Sequence, residues 1–271
     1  MKGFFKHSFD FYQSQPGLNQ STIKQILANP QKWANGFAET PRSAALNFGA
    51  FCHDCLLSPQ EIPDKYLLAD IEKLDLRLKA HKELQREADE RGLILVDNAT
   101  IAHAKALISA NDRTLKEYFQ ADGDRELSFY GSYLGETPIH TKARFDFISS
   151  NRCRIVDLKI MQNADKANFA AAVAKFGYHI QAAYYMDVIG ETPKPKEFIF
   201  VAIEKEPPYL CGIYRLSQET IDLGRERYKK AVRIFKNKPY FSTQNYYEVD
   251  LEFDTVEREQ TITLPAYAFY E

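Results

Sequence analysis

The sequence predicts an α/β protein in which a layered core follows a helical N-terminal section. Up to about residue 120, most of the chain carries the apolar spacing and capping residues of helices. From about residue 125, alternating or continuous apolar stretches rich in β-branched and aromatic residues predict strands. The predicted order is three strands, a helix, two strands and a helix. This order is typical of a sheet covered by helices.

The N-terminal section contains several predicted helices. Pro30 and Pro59 each follow a helical stretch and predict where it ends. The predicted elements are helices over 18–33, 43–58 and 74–92, a short extended piece at 93–97, and a helix that starts near Asn98.

The predicted core begins with strands at 125–134, 139–150 and 152–161. Turn residues at 135–137 and 149–152 separate these strands, so we expect an antiparallel meander. Later elements are a helix over 163–190 with a break at Gly177, strands over 196–206 and 210–217, a helix over 217–237 capped by Ser217 or Thr220, and a partly extended tail. We interpret residues 1–271 as a single domain with a mainly helical section (1–120), a core (121–238) and a C-terminal tail (239–271).

Composition excludes several classes of protein. The chain has 271 residues, of which 45% are hydrophobic, and its net charge of −2 argues against a protein that coats nucleic acid non-specifically. It contains no run of about 18 apolar residues, and its first residues do not have the pattern of a signal peptide. We therefore expect a cytoplasmic protein with no membrane association.

The four cysteines predict free thiols rather than a bound metal. Cys52 and Cys55 are close in sequence, but no second Cys/His pair with metal-ligand spacing follows them. The spacing of all four (52, 55, 153 and 211) also differs from that of a four-cysteine iron–sulfur cluster. We expect neither a structural zinc nor an iron–sulfur cluster.

The stretch RIVDLKIM (154–161) places two charged residues in an otherwise apolar strand. Asp157 and Lys159 are two positions apart, so their side chains point to the same face. An ordinary ion pair at a strand edge would explain them, and Asp-Leu-Lys is a short, common string. Other residues must therefore decide between an ion pair and a catalytic site.

Asp146 adds a second carboxylate to this region. It lies near the end of the preceding strand, so a hairpin would bring it close to Asp157. Two buried carboxylates repel unless a cation neutralises them, and Mg²⁺ or Mn²⁺ suits oxygen ligands. Lys159 could then orient an attacking water and stabilise the transition state of phosphodiester hydrolysis. Alternatively, the carboxylates form ordinary ion pairs with Lys142, Arg144 or Lys159.

These residues resemble the core of PD-(D/E)XK nucleases. RFDFI followed by VDLK matches the core signature, LNFGAFCHDCLL resembles the Gly-x-x-x-His helix of RecB-like nucleases, and YHIQAAYY matches their Gln-x-x-x-Tyr motif. LNQSTIKQILANPQKW and RGLILVDNATIAHAKAL are similar to N-terminal segments of phage- and prophage-encoded RecE-type exodeoxyribonucleases (exonuclease VIII). The resemblance spans residues 18–235 and implies a mixed central sheet flanked by helices. Phe145 stands where the family has proline.

The resemblance also implies roles for particular residues. Asp146, Asp157, the Leu158 carbonyl and His53 would bind the metal, Mg²⁺ or Mn²⁺. Lys159 would be the catalytic lysine, with Glu126 as a further acidic residue of the active site. Gln181 and Tyr185 would position the DNA end or the metal ligands, and Arg42 could hold a terminal 5′-phosphate. Basic residues that could follow the DNA backbone, or could simply be solvated, are Lys142, Arg144, Arg152, Arg154, Lys166 and Lys175.

The function implied by the resemblance is degradation of one strand of linear double-stranded DNA from its ends, 5′→3′, in phage recombination. The implied partners are DNA ends, further copies of the chain in a ring (a trimer or tetramer) and a single-strand annealing protein of RecT type. No P-loop string occurs, so we expect no ATP requirement. The alternatives are a RecB-like single-strand nuclease, a site-specific endonuclease and a DNA-binding or assembly module without activity.

Overall fold

The computed structural model describes residues 2–37, 47–133, 138–190, 197–241, 248–250 and 255–257. Its strands are β1 (Gly3–Phe5), β2 (Tyr66–Leu68), β3 (Ile94–Val96), β4 (Gly123–Tyr133), β5 (Ile139–Ser149), β6 (Arg154–Met161), β7 (Glu197–Glu204), β8 (Cys211–Tyr214), β9 (Glu248–Asp250) and β10 (Thr255–Glu257). Its helices are α1 (Phe9–Ser14), α2 (Gln20–Ala28), α3 (Pro30–Ala34), α4 (Phe48–Leu57), α5 (Ile62–Lys65), α6 (Lys79–Glu90), α7 (Asn98–Ala110), α8 (Asp112–Phe119), α9 (Lys166–Phe176), α10 (Tyr178–Val188), α11 (Gln218–Lys236) and α12 (Lys238–Phe241).

Six strands form a mixed central sheet in the order β1-β4-β5-β6-β7-β8. β6 and β7 are parallel, and the other neighbours in the sheet are antiparallel. The predicted meander is confirmed, because β4 pairs with β5 and β5 pairs with β6. The fold is the predicted α/β arrangement with a mixed sheet between helices.

Helices cover both faces of this sheet. On β7, Phe198 and Phe200 pack into a core shared with α2, α9, α10 and α11, whereas Ile199, Val201 and Ile203 pack into a second core with α4, α7 and α8. A strand buried on both faces has a continuous apolar sequence, and this explains the stretch FIFVAI. None of the described helices has the length and apolar content needed to cross a bilayer.

The predicted helix over 74–92 is shorter in the structure, where α6 begins at Lys79. The Asp97 carboxylate accepts the backbone N–H of Leu74 (2.7 Å) and also caps α7 through the N–H of Thr100 (2.8 Å). The N–H of Asp75 donates to Nδ1 of His81 (3.0 Å). These contacts hold the residues before α6 in a turn. The contact between Leu74 and Asp97 joins residues 23 positions apart, so helical periodicity could not reveal it.

Other predictions differ from the structure in detail. The predicted helix over 18–33 is two helices, α2 and α3, whereas the helix over 163–190 is divided into α9 and α10 at Gly177, as predicted. Gly177 separates α9 from α10 with φ +64°, a left-handed conformation that glycine tolerates and that ends helices. The sequence did not reveal β1 or β2. The predicted turn at 135–137 lies outside the described residues.

Close packing of α10 against α11 requires a glycine at position 224. A Cβ added there would lie 2.2 Å from the carbonyl oxygen of His179 on α10. Helix propensity alone would make Gly224→Ala stabilising by about 1 kcal/mol. Since the added methyl group meets backbone, we instead expect urea unfolding to show a loss of about 1–3 kcal/mol.

The matched control is Glu226→Ala, an alanine substitution on the exposed side of the same helix. We expect this control to change the free energy of unfolding by less than about 0.5 kcal/mol. A Gly224→Ala protein as stable as the wild type would contradict the close approach of the two helices.

Candidate functional site

A cleft of about 570 Å³ opens where β5 and β6 separate, between α1, α2, α4 and α10. Most of the residues singled out from the sequence line it: His53, Glu126, Asp146, Asp157, Leu158, Lys159, Gln181 and Tyr185. These residues come from β4, β5, β6, α4 and α10. The structure thus brings together residues that are more than 100 positions apart in the chain.

The cleft begins at a break in the pairing of β5 with β6. The ladder joins Phe147 to Val156 and Ile148 to Ile155. One further step in this register would place Asp146 opposite Asp157. Instead, Oδ2 of Asp146 accepts the backbone N–H of Leu158 at 2.8 Å. In an extended strand the N–H and C=O of one residue point to the same side, so the Leu158 carbonyl also faces the gap between the strands.

Three possible metal ligands meet at this gap. Nε2 of His53 lies 3.2 Å from Oδ2 of Asp146 and 3.9 Å from Oε1 of Glu126. Ligand atoms of all three residues lie within 4.8 Å of one another. α4 carries His53, β4 carries Glu126 and β5 carries Asp146. The structure therefore contains a possible acidic metal site.

An unusual backbone conformation helps to place Glu126. This residue has φ +53° in the interior of β4, whereas its neighbours Arg125 and Leu127 pair regularly with β5. A left-handed conformation at a non-glycine residue costs roughly 1–3 kcal/mol. Arg144 holds the other side of the carboxylate, because its Nε donates to Oε2 of Glu126 and its guanidinium also contacts Glu61 at 3.7 Å. Arg144 was a predicted partner for Asp146 or Asp157, but its hydrogen-bonded carboxylate is Glu126.

Asp157 and Lys159 form a second group beside the first. Nζ of Lys159 contacts Oδ2 of Asp157, and the Gln181 amide donates to Oδ1 of the same carboxylate. Oε1 of Gln181 lies 3.4 Å from Nζ of Lys159. The side chain of Gln181 therefore bridges Asp157 and Lys159 and fixes the orientation of both.

The charges in the cleft shift the pKa values of these groups. Burial would lower the pKa of His53, but its hydrogen-bonded neighbour Asp146, together with Glu126 and Asp54, raises it to about 9. Burial raises the pKa of Asp157 to about 6, with Lys159 opposing the rise and Asp146 adding to it. Burial would lower the pKa of Lys159, but Asp157 and Asp146 keep it above its ordinary value. The carboxylates therefore favour positive charge at two places in the cleft.

The donor set fits a divalent cation. Glu126 and Asp146 offer carboxylate oxygens, His53 offers an imidazole nitrogen, and the Leu158 carbonyl faces the same gap. Oxygen-rich sites with one imidazole suit Mg²⁺ and, more readily, Mn²⁺. Asp157 is directed to Lys159 and Gln181 and does not belong to the group of three. Its predicted role as a metal ligand stays a prediction.

The remaining predicted residues have different surroundings. Tyr185 is buried, packs its ring against Phe145 with 5.2 Å between ring centroids, and lines the cleft. Arg42 lies outside the described residues. Lys142 is buried, and its Nζ donates to the carbonyls of Tyr12 (2.8 Å) and Gln13 (3.1 Å) at the end of α1. It is therefore a helix-capping group and not a solvated or DNA-facing charge.

Of the six basic residues that could follow a DNA backbone, only Arg144 is among the cleft-lining residues that the structure describes. Arg152 pairs with Asp124 (2.9 Å) and Arg154 with Glu197 (2.8 Å). Lys166 and Lys175 are exposed on α9. Solvated or locally paired charge is thus the better interpretation for these four.

The cleft residues that sequence reasoning missed include Lys24 on α2 and Tyr178 at the start of α10. The Tyr178 ring contacts Nζ of Lys159 (4.7 Å from the centroid) and Nζ of Lys24 (5.7 Å). For Lys24, the one available signal in the sequence was its position on α2. It lies one turn after Gln20, which also lines the cleft, and between Ile23 and Ile26, whose side chains are buried in the core.

Comparison with known proteins agrees with this geometry. Residues 20–238 match the family described as "PDDEXK-like domain of unknown function (DUF3799)". The crystal structure of a "Putative exonuclease" from Eubacterium rectale is similar in fold, with a TM-score of 0.59, 17% identity and 89% of each chain covered. The structure of SSO0001 is 12% identical, with 83% of this chain and 87% of that one covered, but its TM-score is only 0.32. No protein of curated function matches the chain.

Proposed function

Because the chain belongs to the family of PDDEXK-like domains DUF3799, we propose that it is a divalent-cation-dependent exodeoxyribonuclease that degrades one strand of linear double-stranded DNA from an end. One observation carries this proposal. The group His53, Glu126 and Asp146 lies beside the pair Asp157 and Lys159 in a single cleft. Metal ligands next to a cationic side chain can polarise a phosphodiester and stabilise the charge of its transition state.

A divalent cation held by Asp146, Glu126, His53 and the Leu158 carbonyl would supply a Lewis acid that polarises the phosphate. Lys159, an ammonium because its carboxylate neighbours raise its pKa, orients the attacking water and stabilises the extra negative charge of the transition state. Gln181 keeps that ammonium in place. Water attacks phosphorus and releases a proton to the solvent, the bond to the leaving oxygen breaks, and the leaving oxygen takes up a proton from the solvent.

The choice of metal, the activity without ATP and the digestion from a DNA end have different kinds of support. The carboxylate oxygens favour Mg²⁺ or Mn²⁺. The sequence lacks a P-loop string, which favours activity without ATP. Digestion from an end is supported by the Gln181 and Tyr185 motif and by the name of the Eubacterium rectale protein.

The biological setting of the proposal follows from the RecE-type resemblance. It comprises 5′→3′ polarity, a trimeric or tetrameric ring around DNA, a RecT-type annealing protein as partner, phage recombination and a cytoplasmic location. A net charge of −2 is compatible with a ring that has a basic channel and an acidic exterior. Arg42 remains the predicted ligand of the terminal 5′-phosphate.

The test is digestion of linear duplex DNA labelled at either the 5′ or the 3′ end, with Mg²⁺, Mn²⁺ or EDTA and without ATP. We expect cation-dependent release of the 5′ label from linear DNA and no cleavage of a closed circle. Cleavage of the circle would indicate an endonuclease, and activity on single strands alone would indicate a RecB-like single-strand nuclease. Binding without cleavage in any divalent cation would reduce the function to that of a DNA-binding or assembly module.

A further inference from the structure

Lys24 lies in the cleft without an ion-pair partner among the described residues. Its neighbours in the cleft wall include Asn19, Gln20 and Ser21, which carry no charge. Burial and the charge of Lys159 lower the pKa of Lys24 from 10.5 to about 8, and Asp157 opposes these two effects only in part. A buried cation is unfavourable unless an anion compensates it. The cleft therefore holds a half-buried ammonium group that forms no ion pair with any described residue.

The position of Lys24 relative to Lys159 indicates which anion would compensate its charge. Both ammonium groups approach the ring of Tyr178, at 5.7 Å and 4.7 Å from its centroid, so their nitrogens are at most about 10 Å apart. Lys159 is occupied by Asp157 and Gln181, whereas Lys24 has no equivalent contact among described residues. Its methylene chain passes close to Gly177, because a Cβ added to that glycine would lie 3.5 Å from Cε of Lys24. Lys24 is thus a second cation in the cleft, within about 10 Å of Lys159.

We propose that Lys24 binds the phosphate adjacent to the scissile phosphate, on the strand that is cleaved. This inference rests on the proposed nuclease function and adds a substrate contact to it. The ammonium donates to a non-bridging phosphate oxygen, and the bound nucleotide is held so that the next phosphate faces Lys159. Such a contact reads the backbone and not the base, so it acts equally on all sequences.

The first test compares DNA binding by wild type, Lys24→Met and Lys24→Arg. The ligand is a fluorescently labelled blunt duplex with Ca²⁺ in place of Mg²⁺, measured over a series of salt concentrations. Loss of a charge-assisted hydrogen bond predicts about 10- to 100-fold weaker binding by Lys24→Met. The slope of log K against log salt should also become shallower by about 0.7–0.9, the equivalent of one phosphate contact. Lys24→Arg should keep the wild-type slope.

Lys175→Met is the matched control. Lys175 also approaches an aromatic ring, that of Phe176 at 5.4 Å, but it is exposed and is not among the cleft-lining residues. It should bind DNA as the wild type does, with an unchanged slope. Thermal unfolding of all variants shows whether Lys24→Met retains its fold.

The second test locates the phosphate. Two duplexes each carry one uncharged methylphosphonate linkage, on one side or the other of the linkage that the enzyme cleaves. If Lys24 contacts one of these phosphates, replacing that phosphate by the uncharged methylphosphonate weakens DNA binding by the wild type. The same replacement has little further effect on binding by Lys24→Met, which already lacks the contact. Equal losses in both proteins at both positions would overturn the assignment, even if the wild type binds and degrades DNA. A wild-type protein that neither binds nor cleaves DNA would instead remove the proposed function itself.

Discussion

Asp146→Asn should abolish cation-dependent hydrolysis of DNA and should also remove the thermal stabilisation that Mn²⁺ gives the wild-type protein. Asp146 is the carboxylate nearest to His53, at 3.2 Å, and it is held by the backbone of Leu158. Asparagine keeps the shape but removes the negative charge that a hard cation requires. A cation present at about 100 times its dissociation constant stabilises the folded wild type by roughly 2.7 kcal/mol. The variant should lose most of this gain.

Two measurements check this prediction. One is the melting temperature in EDTA and in Mn²⁺, and the other is digestion of linear duplex DNA. Asp124→Asn is the matched control, because Asp124 lies on the neighbouring strand β4 and pairs with Arg152. The control should keep both the metal response and the activity. If Mn²⁺ raises the melting temperature of Asp146→Asn as much as it raises that of the wild type, the cation binds at another site.

Lys159→Met should lower kcat by about 10²–10⁴-fold, the range expected when one group that orients water or stabilises transition-state charge is removed. KM should change far less, because DNA binding depends on many phosphate contacts. The Mn²⁺ response of the melting temperature should persist, since the group His53, Glu126 and Asp146 remains intact. Single-turnover kinetics with end-labelled duplex provide the measurement. Lys166→Met, a substitution of an exposed lysine on α9, is the control and should be fully active.

The same variant has a pH signature in EDTA. Lys159 opposes the burial that raises the pKa of Asp157 from 3.8 to about 6, so its removal raises that pKa further. A folded-state pKa above the unfolded value contributes stability at low pH that is lost as the pH rises through the folded pKa. The loss in free energy of unfolding that Lys159→Met causes, relative to wild type, should therefore be larger at pH 8 than at pH 5. A stability difference independent of pH, with kcat unchanged, would show that Lys159 is not the partner of Asp157.

Periodicity and local chemistry were sufficient to predict the core elements. On β6, Ile155 packs into one core and Val156 into the other, and Asp157 and Lys159 both reach the same cleft. This is the two-residue alternation that predicted that Asp157 and Lys159 share a face. The sharp end of α9 at Gly177 and the cap of α11 at Ser217 were also predictable, because each depends on residues next to it in the chain.

Contacts between distant segments were not predictable in this way. The helix over 74–92 was predicted too long because Asp97, 23 residues after Leu74, holds the first residues of that stretch in a turn. Lys142 looked like a surface cation, yet it is buried against the end of α1, more than 100 residues earlier. In both cases a hydrogen bond across the fold outweighs a local preference of a few tenths of a kilocalorie per residue.

The sequence by itself determined the α/β class, the order of the core strands and the chemical groups available for hydrolysis, because side-chain periodicity and residue type are local properties. Only the tertiary structure decided which of these groups lie together as possible metal ligands and which lie together around Lys159. It placed Glu126, through a left-handed backbone, with His53 and Asp146, and it turned Asp157 toward Lys159 and Gln181. It also put Lys24 and Lys159 near the same aromatic ring, that of Tyr178. Such pairings depend on which charges meet when helices close over the sheet, and burial makes their electrostatic energies large.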